Sequence, residues 1–219
     1  MAFFHSTARS VLGIGDNMLR QYIDGFVSLT STGQGDSDRH VMTLFALALA
    51  SKGKTYVELG VREGTTTLPI LAAAKMNEGM LFSVDVGTTQ FVCPEEFKDH
   101  WRFITSDAVA FLDHWDAGVK IDFLYIDDWH SYEHVKKELE IVDRLVGPSS
   151  IVLLHDLMWG NHDPFYHCDL TLQNGQWANG GPYRAVSELS PQFWEWSTLP
   201  WNNGLTVLRK KYSNKYHPK

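Results

Sequence analysis

The chain has 219 residues, 44% of them hydrophobic, which supplies one sizeable core and requires no second one. Lysine and arginine number 19 against 26 aspartates and glutamates, a formal charge of −7, which disfavours a nucleic-acid partner on electrostatic grounds. Its two cysteines, Cys93 and Cys168, have no CxxC pairing and support neither a disulfide framework nor a structural zinc site.

Apolar residues recur at helical spacing between residues 10 and 30 (Leu12, Met18, Leu19, Tyr22, Ile23, Phe26, Val27), and a glycine and aspartate loop from Ser31 to Asp38 precedes a second helix, His40 to Ser51. These helices form an extension over residues 1–52. From Lys54 the pattern alternates: strand 54–60, helix 65–77, strand 80–86, strand 101–105, helix 108–116, strand 121–127, helix 131–146 and strand 149–155. Such alternation predicts a parallel sheet with helices on both faces. Phe193–Leu199 and Leu205–Arg209 are separated by hairpin spacing, so the last strand is expected to run antiparallel. Between the fifth strand and this hairpin lies Leu157–Gly181, a polar stretch with Trp159, Phe165, Tyr166 and Trp177 that is too long for an ordinary connection; it reads as a lid or insertion, its aromatics either an apolar wall for a ligand or core beneath a loop. Residues 213–219 form a short basic tail. The start lacks a leader pattern and the longest apolar run, Leu44–Ala50, is too short to span a bilayer, so a cytoplasmic protein is expected, with no membrane partner.

The segment KTYVELGVREGTTT, Lys54–Thr67, reads as a buried strand ending in an acidic, glycine-bearing turn that enters a helix. Gly60 and Gly64 permit close backbone approach to a ligand, while Thr65 to Thr67 can cap the helix. The spacing ExGxxxG is neither the GxGxxG of dinucleotide sites nor a P-loop, and a plain structural turn also accounts for it. Asp85 closes the next strand about twenty residues later, where an acid can hold both hydroxyls of a ribose. Asp107 follows the third strand and either accepts a hydrogen bond from an adenine amino group or caps the following helix.

Ligands of open parallel sheets gather beyond the carboxyl ends of the strands. Asp127 ends the fourth strand and His155 and Asp156 end the fifth; if those strands are neighbours, Asp127 and Asp156 can share a divalent cation, with His155 as a third group. The bland alternative has Asp128 or Ser131 capping the next helix and His155 packing in a loop. His130, three residues past Asp127, can take a proton from a substrate hydroxyl, or serve as a hydrogen-bonded support.

With VELGVREGTTT, SVDV, SDA, YIDDWHSYEHV, LLHD and NGLTVLRK in this order, residues 54–209 resemble the class I S-adenosylmethionine-dependent methyltransferases. Within them the chain looks most like a small bacterial and phage group related to macrocin-type O-methyltransferases and to proteins labelled cephalosporin hydroxylase. The resemblance implies a Rossmann-like seven-stranded sheet of order 3-2-1-4-5-7-6 within a domain over 53–212. It implies that Glu58, Gly60, Gly64 and Thr65 surround the methionine part of the cofactor, Asp85 the ribose, and Asp107 with Ala108 the adenine. Asp127 and Asp156, with His155, match a cation site for magnesium or another divalent ion. His130 stands where catechol-type relatives carry a lysine base. The chain departs from the family pattern at Asp128, Trp129 and Leu157.

The implied reaction is O-methylation of a small-molecule hydroxyl, by a chain that can form homo-oligomers. Two rivals remain at this level. One is a zinc or iron hydrolase or oxygenase built on His155, Asp156, His162, Asp163 and His167; the other is a cofactor-binding protein without turnover. Arg184, in GGPYRAVSEL, contacts an anion or packs onto the sheet.

Overall fold

A computed structural model of the chain describes residues 16–33, 35–158 and 180–211. Seven strands form one sheet: β1 (Thr55–Leu59), β2 (Met80–Asp85), β3 (Trp101–Thr105), β4 (Phe123–Ile126), β5 (Ile151–His155), β6 (Trp194–Leu199) and β7 (Leu205–Lys210). Their order is β3-β2-β1-β4-β5-β7-β6, with β1 to β5 parallel and β7 antiparallel to both β5 and β6, as the hairpin spacing predicts.

The helices are α1 (Asp16–Thr32), α2 (Val41–Ala50), α3 (Thr67–Met76), α4 (Ala108–Asp113), α5 (Tyr132–Leu145) and α6 (Gly181–Ser187). They divide between the faces of the sheet because side chains alternate along each strand. Tyr56, Phe123, Tyr125 and Leu153 face one apolar cluster, shared with Phe26 of α1, Leu44 of α2 and Ile70 of α3. Val57, Leu59, Leu124 and Ile126 face another, shared with Leu112 of α4, Val135 and Leu139 of α5, and Val186 of α6. The N-terminal helices thus pack directly on the sheet. Each fully buried large apolar side chain contributes about 1.5–3 kcal/mol.

Local chemistry sets the helix ends. Asp107 accepts a hydrogen bond from the Ala110 amide and caps α4; Ser131 does the same for α5 through the His134 amide. The capping expected of Thr65–Thr67 does not occur, since Thr66 at the start of α3 makes no side-chain cap. Helix α6, which the sequence reading left unassigned, opens with Pro182 beside the left-handed Gly180.

Candidate active site

Parallel strands β1 and β4 are neighbours whose crossovers leave in opposite directions, so a crevice opens beyond their carboxyl ends. Gly60 sits at its centre with φ +86°, and a Cβ there would collide with the backbone carbonyl of Asp127. Two cavities meet at this glycine. One, of about 390 Å³, is lined by Asp85, Ser106, Asp107, Ala108, Asp128 and Trp129, besides Gly60 and Asp127. The other, of about 320 Å³, lies between the Gly35–Asp38 loop and Gly60, Thr65, Thr66 and Asp127.

Asp85 lines the larger cavity. Burial works against its charge, but the amides of Gly87, Val61 and Arg62 hold its carboxyl below the usual range. Its Oδ2 accepts from Val61 at 2.9 Å and its Oδ1 from Gly87 at 3.1 Å, which leaves lone pairs for a diol. Asp107 lines the same cavity while capping α4, so its two expected roles coexist geometrically.

Glu58 differs from expectation. It is completely buried, on the face of β1 that meets α3, and accepts hydrogen bonds from Thr66 (2.8 Å), Thr67 (2.8 Å) and Ser83 (2.7 Å). It lines neither cavity and supports the glycine turn from below. Burial pushes its carboxyl up to about 7, with the three hydroxyls opposing. Gly64, φ +82°, packs against Phe91, and Thr65 lines the smaller cavity.

Strands β4 and β5 pair in register, Ile126 opposite Leu154, so the next residues bring Asp127, His155 and Asp156 together. His155 Nδ1 lies 3.3 Å from Asp127 Oδ1 and 3.0 Å from Asp156 Oδ1. His130 Nε2 lies 3.3 Å from Asp127 Oδ1 and 3.2 Å from Asp156 Oδ2. Tyr125 donates its hydroxyl to Asp127 Oδ2 at 2.9 Å. Asp127, His130 and Asp156 can offer one ligand atom each to a metal ion.

The cluster suits a cation. His155 Nε2 faces the Asn202 carbonyl at 2.9 Å, so that nitrogen carries hydrogen and Nδ1 turns to the carboxylates. Despite their closeness, His155 Nδ1 and Asp156 Oδ1 lack the alignment of a hydrogen bond and are buried without a hydrogen-bond partner. Both atoms therefore keep lone-pair or proton-binding capacity that an ion could use. Without an ion, protons on the imidazoles balance the acids. Burial resists charge throughout, yet Asp127 is held well below its ordinary value by His155 and His130, and His155 is raised well above its own by Asp127 and Asp156.

His130 is likewise raised by the two aspartates against the effect of its own burial. Its Nε2 already faces two carboxylates, so a role as a free base, as the sequence reading had it, requires their charge to be neutralised first.

Sequence reasoning missed the support behind His155. The β6–β7 turn, with Asn202 and Asn203 in left-handed backbone, offers the carbonyls of Trp201 and Asn202 to His40 Nε2 at 2.8 and 3.3 Å, as well as that of Asn202 to His155. An Asn-Asn-Gly turn is a readable signal, but its contact with residues far earlier in the chain is not. Arg184 lies over the Tyr132 ring at 3.9 Å and pairs with Glu188 at 3.2 Å, in the α5–α6 contact away from the crevice. The expected lid, with its aromatic residues and with His162, Asp163 and His167, falls outside the described residues, as does the basic tail. No helix among the described residues is long and apolar enough to cross a membrane.

A seven-stranded sheet of this order, with a glycine turn after β1 and acids ending β2 and β4, defines the Rossmann-like fold of methyltransferases. Residues 57–157 match the family model of a methyltransferase domain. Residues 57–157 thus carry a methyltransferase domain, set within the seven-stranded Rossmann-like fold. Among solved structures it is similar to the SAH-bound methyltransferase PaMTH1 of Podospora anserina, with TM-score 0.59, 16% identity, and 97% and 98% of the two chains covered. It is also similar to an O-methyltransferase of Bacillus cereus in complex with SAH, with TM-score 0.54, 13% identity, and 92% and 94% covered. A third is TomG of Streptomyces achromogenes, an O-methyltransferase of tomaymycin synthesis in complex with SAM, with TM-score 0.56, 13% identity, and 80% and 81% covered. At these identities the likeness carries the fold. No curated protein matches the sequence.

Proposed function

We propose that the chain methylates a hydroxyl of a small molecule with the aid of a divalent cation. The observation that carries this reading is the four-residue group Asp127, His130, His155 and Asp156, set at the strand tips directly beside the cavity that holds Asp85. S-adenosylmethionine supplies an electrophilic methyl that needs little activation, so the protein's task is alignment, deprotonation and exclusion of water.

In this reading Asp85 accepts the ribose hydroxyls, Asp107 and Ala108 border the adenine, and Gly60, Gly64 and Thr65 give the methionine portion room. Asp127, Asp156 and His155 hold the cation, which would acidify an acceptor hydroxyl there. His130 Nε2 is the basic atom beside the carboxylate pair; with their charge neutralised it accepts the hydroxyl proton. The acceptor enters from the Gly35–Asp38 side, where the smaller cavity reaches Asp127. O-methylation in the Bacillus and Streptomyces neighbours supports the choice of oxygen.

The test is calorimetry with S-adenosylhomocysteine alongside an activity assay on phenols and polyols with and without magnesium or manganese. Asp85→Ala should weaken cofactor binding about 10–100-fold, the loss of hydrogen bonds to a charged group. Asp127→Ala should leave that binding within a few-fold and lower turnover by at least about 100-fold. Unchanged affinity in Asp85→Ala would sink the ribose assignment, and full activity in Asp127→Ala the cation site.

The zinc or iron alternative gains one observation, the two imidazoles among the carboxylates, since imidazole suits transition metals. Metal-dependent hydrolysis or oxidation that ignores S-adenosylmethionine would establish it.

A further inference from the structure

On the opposite side of β4 from Asp127, three more metal-ligating side chains meet. Asp128 comes from the loop after β4; His134 and Glu138 come from α5, where spacing of four puts them on one face. Glu138 is wholly buried in a helix whose other inward residues are apolar, and neither of its carboxylate oxygens has a hydrogen-bond partner. Asp128 Oδ1 is also buried without one. The imidazole of His134 faces Glu138 at 3.6 Å, beyond hydrogen-bond reach, and a buried carboxylate so weakly compensated costs several kcal/mol. Lys136 and Lys137, its neighbours on α5, are engaged elsewhere, with Glu188 and Glu140.

We propose that Asp128, His134 and Glu138 form a second divalent-metal site, selective for a zinc-like ion, separate from the group at Asp127. The spacing fits: His134 Nε2 lies 3.0 Å from Asp128 Oδ2 and 3.6 Å from Glu138 Oε1. A tetrahedral ion with bonds of about 2.0–2.1 Å needs ligands about 3.3 Å apart, midway between those values. One nitrogen and two carboxylates form a donor set that zinc accepts, and three protein ligands leave a fourth position. Asp128 and His134 both line the Asp85 cavity, so the fourth position faces the side where the cofactor lies. The ion would compensate Glu138 and tie the start of α5 to the loop that forms one wall of that cavity. The rival arrangement holds no ion: a protonated His134 paired with both Asp128 and Glu138.

The test uses the full chain stripped with chelator, carrying Asp156→Asn to disable the other cluster, and titrated with zinc chloride by calorimetry with metal analysis. The expected result is one equivalent bound. Adding Glu138→Gln or His134→Ala should weaken it by at least the ~100-fold that even loss of an outer partner can cause. If Glu138→Gln does not fold, Asp128→Asn, at a partly exposed position, gives the same comparison. No zinc bound by Asp156→Asn, or binding undiminished by Glu138→Gln and Asp128→Asn, overturns the site in favour of the His134 ion pairs. Cofactor binding judged through Asp85→Ala is a separate measurement, so either idea can fail alone.

Discussion

Glu58 makes the pH dependence of this fold specific. Its carboxyl is raised by burial from an ordinary value near 4.5 to about 7, so it favours folding fully below 4.5 and loses that contribution as pH rises through 7. The change amounts to about 3 kcal/mol. Glu58→Gln removes the titration while keeping most hydrogen bonds, so urea midpoints of the two proteins should diverge from pH 5 to pH 8, the parent falling relative to the variant. A constant gap over that range would show that Glu58 stays ionised. At Gly60 the constraint is steric: a left-handed backbone and a carbonyl where a Cβ would sit. Gly60→Ala should cost more than about 2 kcal/mol in denaturant unfolding, because strain and collision add, and should weaken S-adenosylhomocysteine binding with it.

At the scale of elements, helix α5 joins both groups of candidate metal ligands to the core. Its N-cap Ser131 lies between His130 and the helix, and its serine oxygen accepts from His134 N. Ser131→Ala should therefore cost about 1 kcal/mol, measured by thermal or urea unfolding. The elements themselves were legible wherever apolar runs ended in glycine or aspartate: β1, β2, β4 and β5 stop at or one residue before Gly60, Asp85, Asp127 and Asp156. Capping was legible at Asp107 and Ser131 but not at Thr66 and Thr67. Their hydroxyls are taken by Glu58, and β1 is buried on both faces, so its sequence does not reveal which side an acid occupies. Helix α6, only seven residues long, offered too little periodicity to detect. The meeting of Asp128, His134 and Glu138 drew no attention in the sequence, since the burial of Glu138 is set by the fold.

For the whole molecule, cofactor binding should appear as stability. Saturation at 100 times the dissociation constant adds about 2.7 kcal/mol. For a chain of this size that raises the melting temperature by about 5–10 °C. Asp85→Ala at the same S-adenosylhomocysteine concentration should lose most of that rise, while Asp127→Ala keeps it; equal shifts in all three proteins would point to a binding surface elsewhere. Strand alternation and the final hairpin told of a parallel sheet with an antiparallel last strand, the order of its strands came from the resemblance, and the meeting of Asp127 with Asp156 depended on β4 and β5 being adjacent. The contribution of the hairpin turn lay beyond any local pattern, because carbonyl contacts across 47 residues leave no mark on spacing.

That turn has a consequence for how the reaction centre comes into being. A fragment ending at Met158 would possess every carboxylate of the strand tips and lack the backbone oxygens that steer His40 and His155. During synthesis the ring nitrogens would remain unsteered until the last two strands emerged and zipped onto β5. The two imidazoles would then take up their final orientation only with the last segment of the sheet.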